Sequence, residues 1–275
     1  MAEMINRRAL KSETKRLLAD SQVSPKAMTA LYLGLVLALN LVSMIPQGNG
    51  IPATFIMVLT FLLRFILAAG FVLYCMAIRR GERAEFLTLF DGFAFVGKII
   101  ALNIVIFLVI FFWSMLFVIP GIIASYRYRF AIFNLCENPE IGIMEAMALS
   151  TRQTFGYKMQ LFALDLSYLG WTFLAMLPSA FYNSSVMLEP YMDTMEAMAS
   201  TISFVAPEFA VTAVMPAVAW MLVIGLWDLV VSMFYYPTFQ CVKLEYFEIA
   251  KRTSGVTADT FRSRRRNGPD NMGSF

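Results

Sequence analysis

Five ionisable residues interrupt stretches of sequence that are otherwise almost entirely apolar. They are three arginines and two aspartates: Arg64, Arg127, Arg129, Asp165 and Asp228. Charged side chains are costly inside a bilayer, so they face the protein interior, pair with one another or line a wet cavity. Two roles therefore stay open for this set. The charges either hold helices together as ion pairs or form a polar cavity for an ion or an anionic solute.

Other kinds of chemistry find little support in the residues. The sequence contains no histidine, which excludes histidine-based triads, histidine metal ligands and histidine proton relays. The cysteines Cys75, Cys136 and Cys241 lie far apart and lack the CxxC spacing of redox or metal sites. Nucleophile-elbow, zinc-protease and phosphate-loop motifs are also missing from the sequence. We therefore expect no metal, no cofactor and no enzymatic activity.

The elements that carry the five charges are membrane helices. Of the 275 residues, 59% are hydrophobic and 15% are charged, whereas ordinary soluble chains have about 45–50% and about 25%. The apolar residues gather in blocks that approach or exceed the roughly 20 residues needed to cross the hydrocarbon. The sequence therefore predicts an all-α fold, a polytopic transmembrane helical bundle with short interfacial amphipathic helices.

Six spans are predicted, arranged as three hairpins. Ser24 and Pro25 favour a helix start before the first span, because serine caps free amides and proline suits the first turn. In chain order, the predicted spans are Ala27–Ile45, Ile51–Ile78, Ile99–Ile119, Gly121–Cys136, Leu161–Leu177 and Ala210–Phe234.

The fourth predicted span is the weakest by hydropathy, because it contains Arg127 and Arg129. An arginine at the centre of a span costs about 2.5–3.5 kcal/mol. The distribution of basic residues nevertheless favours it. With six spans, every basic segment falls on one side, and the loops without Lys or Arg, Pro46–Ile51 and Phe181–Phe209, fall on the other. Since basic loops stay inside, both termini are predicted to be cytoplasmic.

Depth along these spans limits which charges can meet. At about 1.5 Å per residue, Arg64 lies roughly 20 Å from the cytoplasmic end of its span, and Asp165 and Asp228 lie within about 10 Å of that face. Arg64 is therefore expected to reach Asp228 if the helices tilt. Asp165 is expected to cap a helix at the interface or to pair with Arg152 or Lys158.

Two segments have the pattern of short amphipathic helices. Met4–Asp20 mixes apolar and cationic residues, which is typical either of a helix lying in the cytoplasmic interface or of a solvated helical leader. A second segment, opened by Asn138 and Pro139, places Ile141, Met144, Met147 and Ala148 on one face. It is expected to lie at the inner face and to connect two hairpins.

The domain organisation follows from these assignments. Residues 1–252 are predicted to form a single integral membrane helical domain, with a cytoplasmic amphipathic leader over 1–26 and an external acidic segment over 181–209. Residues 253–275 are predicted to form a disordered basic cytoplasmic tail. The expected partners are the lipid bilayer, including anionic lipid at the N-terminal helix and the tail, and a membrane protein or second copy of the chain. No nucleic-acid partner is expected.

Several short strings resemble one known family. They occur in that family's order: Arg7–Leu18, Ile119–Ile123, Glu137–Glu140, Glu145–Ser150 and Leu164–Trp171. The chain thereby resembles, from Asn6 to about Ile249, the integral membrane family known as domain of unknown function 975. The resemblance implies a multi-pass protein of the bacterial plasma membrane with this architecture. It carries over no catalytic or ligand-binding residue.

Two non-enzymatic functions remain in view, beside the less favoured alternative of an enzyme that acts on a lipid substrate. The lack of chemistry and the amphipathic segments favour a non-enzymatic membrane scaffold or accessory subunit. The alternative is a small permease or lipid-handling protein that uses an intramembrane Arg/Asp polar cavity. A bundle packed dry around an ion pair would favour the scaffold, whereas a wet cavity shared by Arg64 and Asp228 would favour the permease.

Overall fold

The computed structural model describes residues 5–19, 23–44, 51–182 and 217–260, with backbone only for 51–53 and 217–218. Throughout this part of the chain the only regular secondary structure is helical, which confirms the predicted all-α class. The helices are α1 (Arg7–Ala19), α2 (Pro25–Met44), α3 (Ile51–Arg79), a 3-10 helix (Phe86–Phe95), α4 (Val96–Leu116), α5 (Val118–Arg127), α6 (Ala131–Glu137), α7 (Ile143–Gln153), α8 (Lys158–Leu166), α9 (Leu169–Tyr182) and α10 (Ala217–Ser254).

Four helical segments are long and apolar enough to cross a bilayer. They are Pro25–Ser43, Thr54–Arg79, Phe86–Leu116 and Ala219–Thr260. A fifth span results if α8 and α9, which meet at an angle of 51°, are counted as one broken crossing. The sequence predicts six spans in three hairpins. The predicted span that is missing from these five is Gly121–Cys136.

The fourth predicted span is not one helix. Its residues divide into α5 and α6, and neither has the length of a crossing. The backbone breaks between them because α7 supplies other hydrogen-bond partners there. The Ser150 hydroxyl accepts from the Phe130 amide at 3.1 Å and donates to the Arg127 carbonyl at 2.8 Å. A buried hydroxyl therefore satisfies the polar groups that the break exposes.

The two short helices nevertheless return the chain along α4. Gly121 of α5 lies so close to Ser114, near the end of α4, that a Cβ there would come within 1.9 Å of the serine hydroxyl. Beyond α6, the Pro139 carbonyl accepts a hydrogen bond from Lys98 at the start of α4. α5 thus begins beside the end of α4, and the residues after α6 lie beside its start, so the two short helices follow α4 in the opposite direction.

Two glycines let the 3-10 helix lie directly against α3. A Cβ on Gly70 would stand 1.8 Å from the Leu89 carbonyl oxygen, and one on Gly92 would stand 2.9 Å from that of Ile66. Since the atoms met are backbone atoms, side-chain rotation cannot relieve the contact. The approach of α3 and the 3-10 helix therefore requires glycine at Gly70, as in small-residue helix contacts of membrane proteins.

The last helix continues well beyond its predicted end at Phe234. It passes through Pro237, which lacks an N–H and leaves the Met233 carbonyl without its helical partner. Its polar second half is held by ion pairs. Arg79 lies 2.6 Å from Glu245 and 3.2 Å from Glu248, and Lys251 pairs with Glu137. These contacts tie α10 to the end of α3 and the end of α6.

A dense aromatic core lies beside these ion pairs. Phe247 of α10 packs on Phe130 and Phe133, with ring centroids 5.6 and 5.5 Å apart. A polar pair is enclosed with them, since Asn134 and Gln153 exchange amide hydrogen bonds of 2.7 and 3.0 Å. Satisfied polar groups of this kind fix one arrangement of α6 and α7.

Helix α1 packs onto the bundle through one face. Leu10, Thr14 and Leu18 are buried against the protein. Arg7 donates a 2.8 Å hydrogen bond to the Ala163 carbonyl near the end of α8, where a cation also complements the helix dipole. Part of the apolar face of α1 is therefore covered by the protein itself, and the location of this helix in the cytoplasmic interface stays a prediction.

Helix α7 is also amphipathic, but its buried face differs from the predicted one. Ile141 and Met147 are buried as expected, whereas Met144 is 71% exposed. Leu149 and Gln153 complete the buried face, which packs on α6 and α10. Most of the predicted external segment, residues 181–209, and of the predicted tail, residues 253–275, lies outside the described residues.

Candidate functional site

Arg129 and Asp165 form a bidentate ion pair between two breaks in the helices. Arg129 lies in the turn between α5 and α6, and Asp165 lies in the last turn of α8. The two terminal guanidinium nitrogens of Arg129, Nη1 and Nη2, each lie 2.6 Å from a different oxygen of the Asp165 carboxylate. Such fork geometry is stronger and more directional than a single contact. The side chains are 21% and 28% exposed, so the pair is partly shielded from its surroundings.

Tyr126 is the third member of this cluster. Its hydroxyl donates to the Asp165 carboxylate at 2.7 Å, and the Arg129 guanidinium lies 5.3 Å from the centre of its ring. Sequence reasoning missed Tyr126. Its spacing of three residues from Arg129 was not a usable signal, because α5 ends at Arg127 and helical periodicity does not extend to Arg129.

The predicted partners of Asp165 are wrong. Lys158 begins α8 seven residues earlier, which is about 10 Å along the helix axis. Arg152 belongs to α7, and its side chain is exposed. Arg129 reaches the carboxylate because the break after α5 turns its side chain toward α8. That break was not visible in the apolar sequence around it.

Arg64 and Asp228 do not form the predicted contact in the described structure. Arg64 donates to the amide oxygen of Asn40 on α2, and its Nε is buried without a hydrogen-bond partner in the part of the chain that is described. Asp228 instead accepts from Ser232, one turn further along α10, at 3.2 Å. The two charges are nevertheless neighbours of one cavity, since Asn40 and Asp228 both line it.

Arg127 lies apart from the cluster. Its Nε donates to the Thr151 hydroxyl of α7 at 3.1 Å, and its guanidinium lies 5.8 Å from the Tyr128 ring centre. Residues two apart point to different sides of a helical stretch, so Arg127 and Arg129 diverge. Of the five predicted charges, the structure joins Arg129 to Asp165 and leaves Arg64, Arg127 and Asp228 with separate partners.

Three cavities adjoin one another along α9 and α10. The outer cavity, about 560 Å³, is lined among others by Asn40, Tyr182, Met221 and Asp228. The middle cavity, about 500 Å³, surrounds the Arg129–Asp165 pair. The third, about 360 Å³, lies beside α1. Each volume falls in or near the range of about 300–1,000 Å³ typical of small-molecule sites.

Shared walls join the cavities into one feature, the α9–α10 groove. Tyr235 lines all three cavities, Thr172 lines the outer and middle ones, and Tyr168 lines the middle and third ones. Helix α9 follows the groove from its first residue to Tyr182, a distance of about 20 Å at 1.5 Å per residue. This length is about two thirds of the roughly 30 Å thickness of the hydrocarbon.

Irregular backbone surrounds the middle cavity. The break between α8 and α9 places Tyr168 on its wall, the break after α5 places Arg129 there, and Pro237 of α10 lies between the lining residues Tyr236 and Phe239. Non-helical backbone at membrane depth is tolerated where it is buried in protein or lines a cavity. This arrangement marks the middle cavity as the candidate functional site.

Comparison with known proteins concerns the central part of the chain. Residues 103–202 match a family described as "Protein of unknown function (DUF975)", which confirms the resemblance to that family over this range. The matched range contains both charges of the pair, Arg129 and Asp165. No curated protein and no solved structure is similar enough to the chain to match it.

Proposed function

We propose that the protein is a lipid-handling membrane protein that binds an amphiphilic solute in the α9–α10 groove. The observation that carries the proposal is the continuity of three cavities past the Arg129–Asp165 pair. Aromatic side chains form much of the wall, including Phe162, Tyr168 and Phe239. A groove with apolar walls and charges at intervals suits a molecule with an apolar chain and a polar head.

The chemistry of the pair argues against a simple cation site. Both oxygens of the Asp165 carboxylate already accept from Arg129, and one also accepts from Tyr126. Hard cations bind several oxygen ligands at once, and these oxygens are engaged. An amphiphile needs only aromatic contact and a few polar groups, which this cavity offers.

We also propose six crossings of a bacterial plasma membrane with both termini cytoplasmic. The antiparallel course of α5 and α6 along α4 supports this topology, because the two short helices then serve as one broken crossing. It brings α7 to the same side as α1 and the end of α10. The basic residues of these segments agree with the positive-inside rule.

A cysteine placed at Phe155 tests the topology. Phe155 follows α7 and is 82% exposed, whereas the native cysteines are buried. We expect a membrane-impermeant thiol reagent to label Phe155→Cys only after cell lysis. Asn49→Cys, in a loop predicted to lie outside, is the control and should be labelled in intact cells. Labelling of Phe155→Cys in intact cells would contradict the six-span topology.

A bulky residue at Thr172 tests the groove itself. Thr172 lines the outer and middle cavities, so Thr172→Trp should fill the groove. We expect the purified variant to retain several-fold less lipid per protein, measured by mass spectrometry after detergent extraction and extensive washing. Phe173→Trp is the matched control, because Phe173 is 62% exposed and does not line the groove.

Two further outcomes decide the result. Should Thr172→Trp fail to fold, Met176→Trp replaces it, since Met176 lines the outer cavity and is 57% exposed. Equal lipid retention by the wild type, the groove variant and the Phe173→Trp control would refute the proposal.

A scaffold or accessory subunit is the second candidate function. It is favoured by the saturation of the Arg129–Asp165 pair, which resembles a link between helices more than a site waiting for a ligand. Interhelical polar contacts of this kind specify packing. If the Thr172→Trp variant, whose groove is filled, still recruits its partners as the wild type does, that result would support the scaffold.

A further inference from the structure

We propose that the third cavity is the headgroup site of the α9–α10 groove and takes the phosphate of an anionic phospholipid. The inference rests on the lipid-handling function proposed above and names the class of lipid. The third cavity lies between α1 and the first turn of α9, with α10 as its other wall. Its lining includes three cations and three aliphatic hydroxyls: Arg8, Lys11, Lys15, Ser12, Ser167 and Thr238.

The charge of this cavity is strongly one-sided. Arg8, Lys11 and Lys15 recur at spacings of three and four residues, which places them on one face of α1. None of the described residues that line the cavity is acidic. Within the described part of the chain, no carboxylate forms an ion pair with any of the three. A phosphate group would supply the missing negative charge.

Lys11 is the deepest of the three cations. Its ammonium donates to the Ser167 hydroxyl at 2.9 Å and lies 4.0 Å from the centre of the Tyr168 ring. Burial lowers the pKa of Lys11, and the neighbouring charges of Arg7 and Lys15 lower it further. The ammonium is thus held among like charges at the mouth of an aromatic groove, where an anion would be stabilised.

The helix that carries these cations is fixed in place. Leu10 and Leu18 are buried, and Arg7 is bonded to the Ala163 carbonyl on the far side of the α8–α9 break. The cations therefore stand at a defined position relative to Ser167. They differ in this respect from a mobile basic tail that is attracted to any anionic surface.

The third cavity opens into the apolar part of the groove. Tyr168 and Tyr235 line both the third and the middle cavity, so a molecule held at α1 can extend along them. Trp171 and Phe234 add aromatic surface at the same level. A phosphate at Lys11 with an apolar chain past Tyr235 uses both halves of this surface, which a free phosphate ion does not.

Lipid competition on the purified full-length protein tests the headgroup. The protein is equilibrated in mixed micelles with equal amounts of phosphatidylglycerol and phosphatidylcholine, and the retained lipids are quantified by mass spectrometry. We expect the wild type to retain the anionic lipid in excess. Lys11→Gln and Lys15→Gln should each reduce that excess about fivefold, the factor that corresponds to about 1 kcal/mol per basic residue at an anionic surface.

Arg16→Gln is the matched control. It removes the same charge from the same helix, but Arg16 is exposed and does not line the cavity. We expect its preference for the anionic lipid to equal that of the wild type. Equal reductions in Arg16→Gln and Lys11→Gln would overturn the inference, because net charge and not the cavity would then set the preference.

Soluble anions separate the two sources of phosphate. Inorganic phosphate or glycerol phosphate, added at millimolar concentration, should leave the lipid preference of the wild type unchanged. Loss of the preference at those concentrations would show a site for free phosphate and overturn the phospholipid assignment.

The failure of this inference differs from a failure of the proposed function. If Thr172→Trp retains less lipid but the wild type shows no headgroup preference, only the anionic site is overturned. A wild type that retains no lipid at all overturns both.

Discussion

Replacing Asp165 with alanine should cause a large loss of stability, about 3 kcal/mol, because it leaves the Arg129 guanidinium without its carboxylate. Removing one partner of a buried ion pair costs about 3–5 kcal/mol. The partial exposure of this pair, 21% and 28%, supports the lower end of that range. The measurement is thermal or denaturant unfolding of the purified protein in detergent, followed by tyrosine and tryptophan fluorescence.

Two variants distinguish the contribution of the ion pair to stability from that of its neighbouring contacts. The double variant Arg129→Leu/Asp165→Leu should recover most of the lost stability, since apolar replacement of a whole pair is often neutral or stabilising. Tyr126→Phe should cost only about 1 kcal/mol, as expected for one hydrogen bond. An Asp165→Ala protein as stable as the wild type would show that the pair does not hold α5 and α8 together.

The same double variant also separates structure from function. A stable Arg129→Leu/Asp165→Leu protein with normal lipid retention would assign the pair to packing. A stable protein that retains less lipid would assign it to the groove. The outcome therefore bears on the scaffold and lipid-handling candidates directly.

Gly70→Ala should destabilise the protein by about 3 kcal/mol or more, although it adds a single methyl group. The added Cβ would meet the Leu89 carbonyl oxygen at 1.8 Å. Overpacking of a tight interior typically costs about 1–3 kcal/mol and sometimes more. Here the strain falls on backbone atoms of the 3-10 helix, which must move away from α3. Unfolding in detergent provides the measurement.

Gly34→Ala is the control for this substitution. Gly34 lies inside α2, and a Cβ there would meet nothing within 4 Å. Alanine exceeds glycine in helix propensity by about 1 kcal/mol, so this variant should be as stable as the wild type or more stable. Equal effects of the two substitutions would contradict the close approach of the 3-10 helix to α3.

The sequence was sufficient for the helices whose signals are local. Hydropathy and the Ser24–Pro25 pair predict a first span beginning at Ala27, and α2 begins at Pro25. The second span was predicted over Ile51–Ile78, and α3 covers Ile51–Arg79. These segments are uniform in composition and are bounded by turn residues or charges, so a window of about 20 residues finds both ends.

The breaks could not be predicted because hydropathy does not register them. Both sides of Ser167 and Tyr168 are apolar, and the contacts at this break, Lys11 of α1 with Ser167 and Phe239 of α10 with Tyr168, are long-range. The α5–α6 break depends on Ser150, which lies 20 residues beyond Phe130 in sequence. The last span was predicted to end at Phe234, but the helix continues to Ser254, where ion pairs connect it to α3 and α6.

The sequence indicated which charged residues lie in apolar segments, but it did not indicate that Arg129 pairs with Asp165. Arg129 and Asp165 were selected, with three other residues, as charges in apolar surroundings, and the structure joins these two. Their partnership depends on a long-range fold that sequence spacing alone does not define. Tyr126 and the basic face of α1 acquire their place in the groove in the same way, through the packing of α1, α8 and α10.

The sequence separation of the pair has a consequence for biosynthesis. Arg129 precedes Asp165 by 36 residues, and ribosomes add about 5–20 residues per second. The arginine is therefore made about 2–7 s before its carboxylate. In the six-span topology proposed above, an unpaired arginine near the centre of the bilayer costs about 2.5–3.5 kcal/mol during that interval. We therefore expect α5 and α6 to wait at the translocon and to enter the bilayer together with α8.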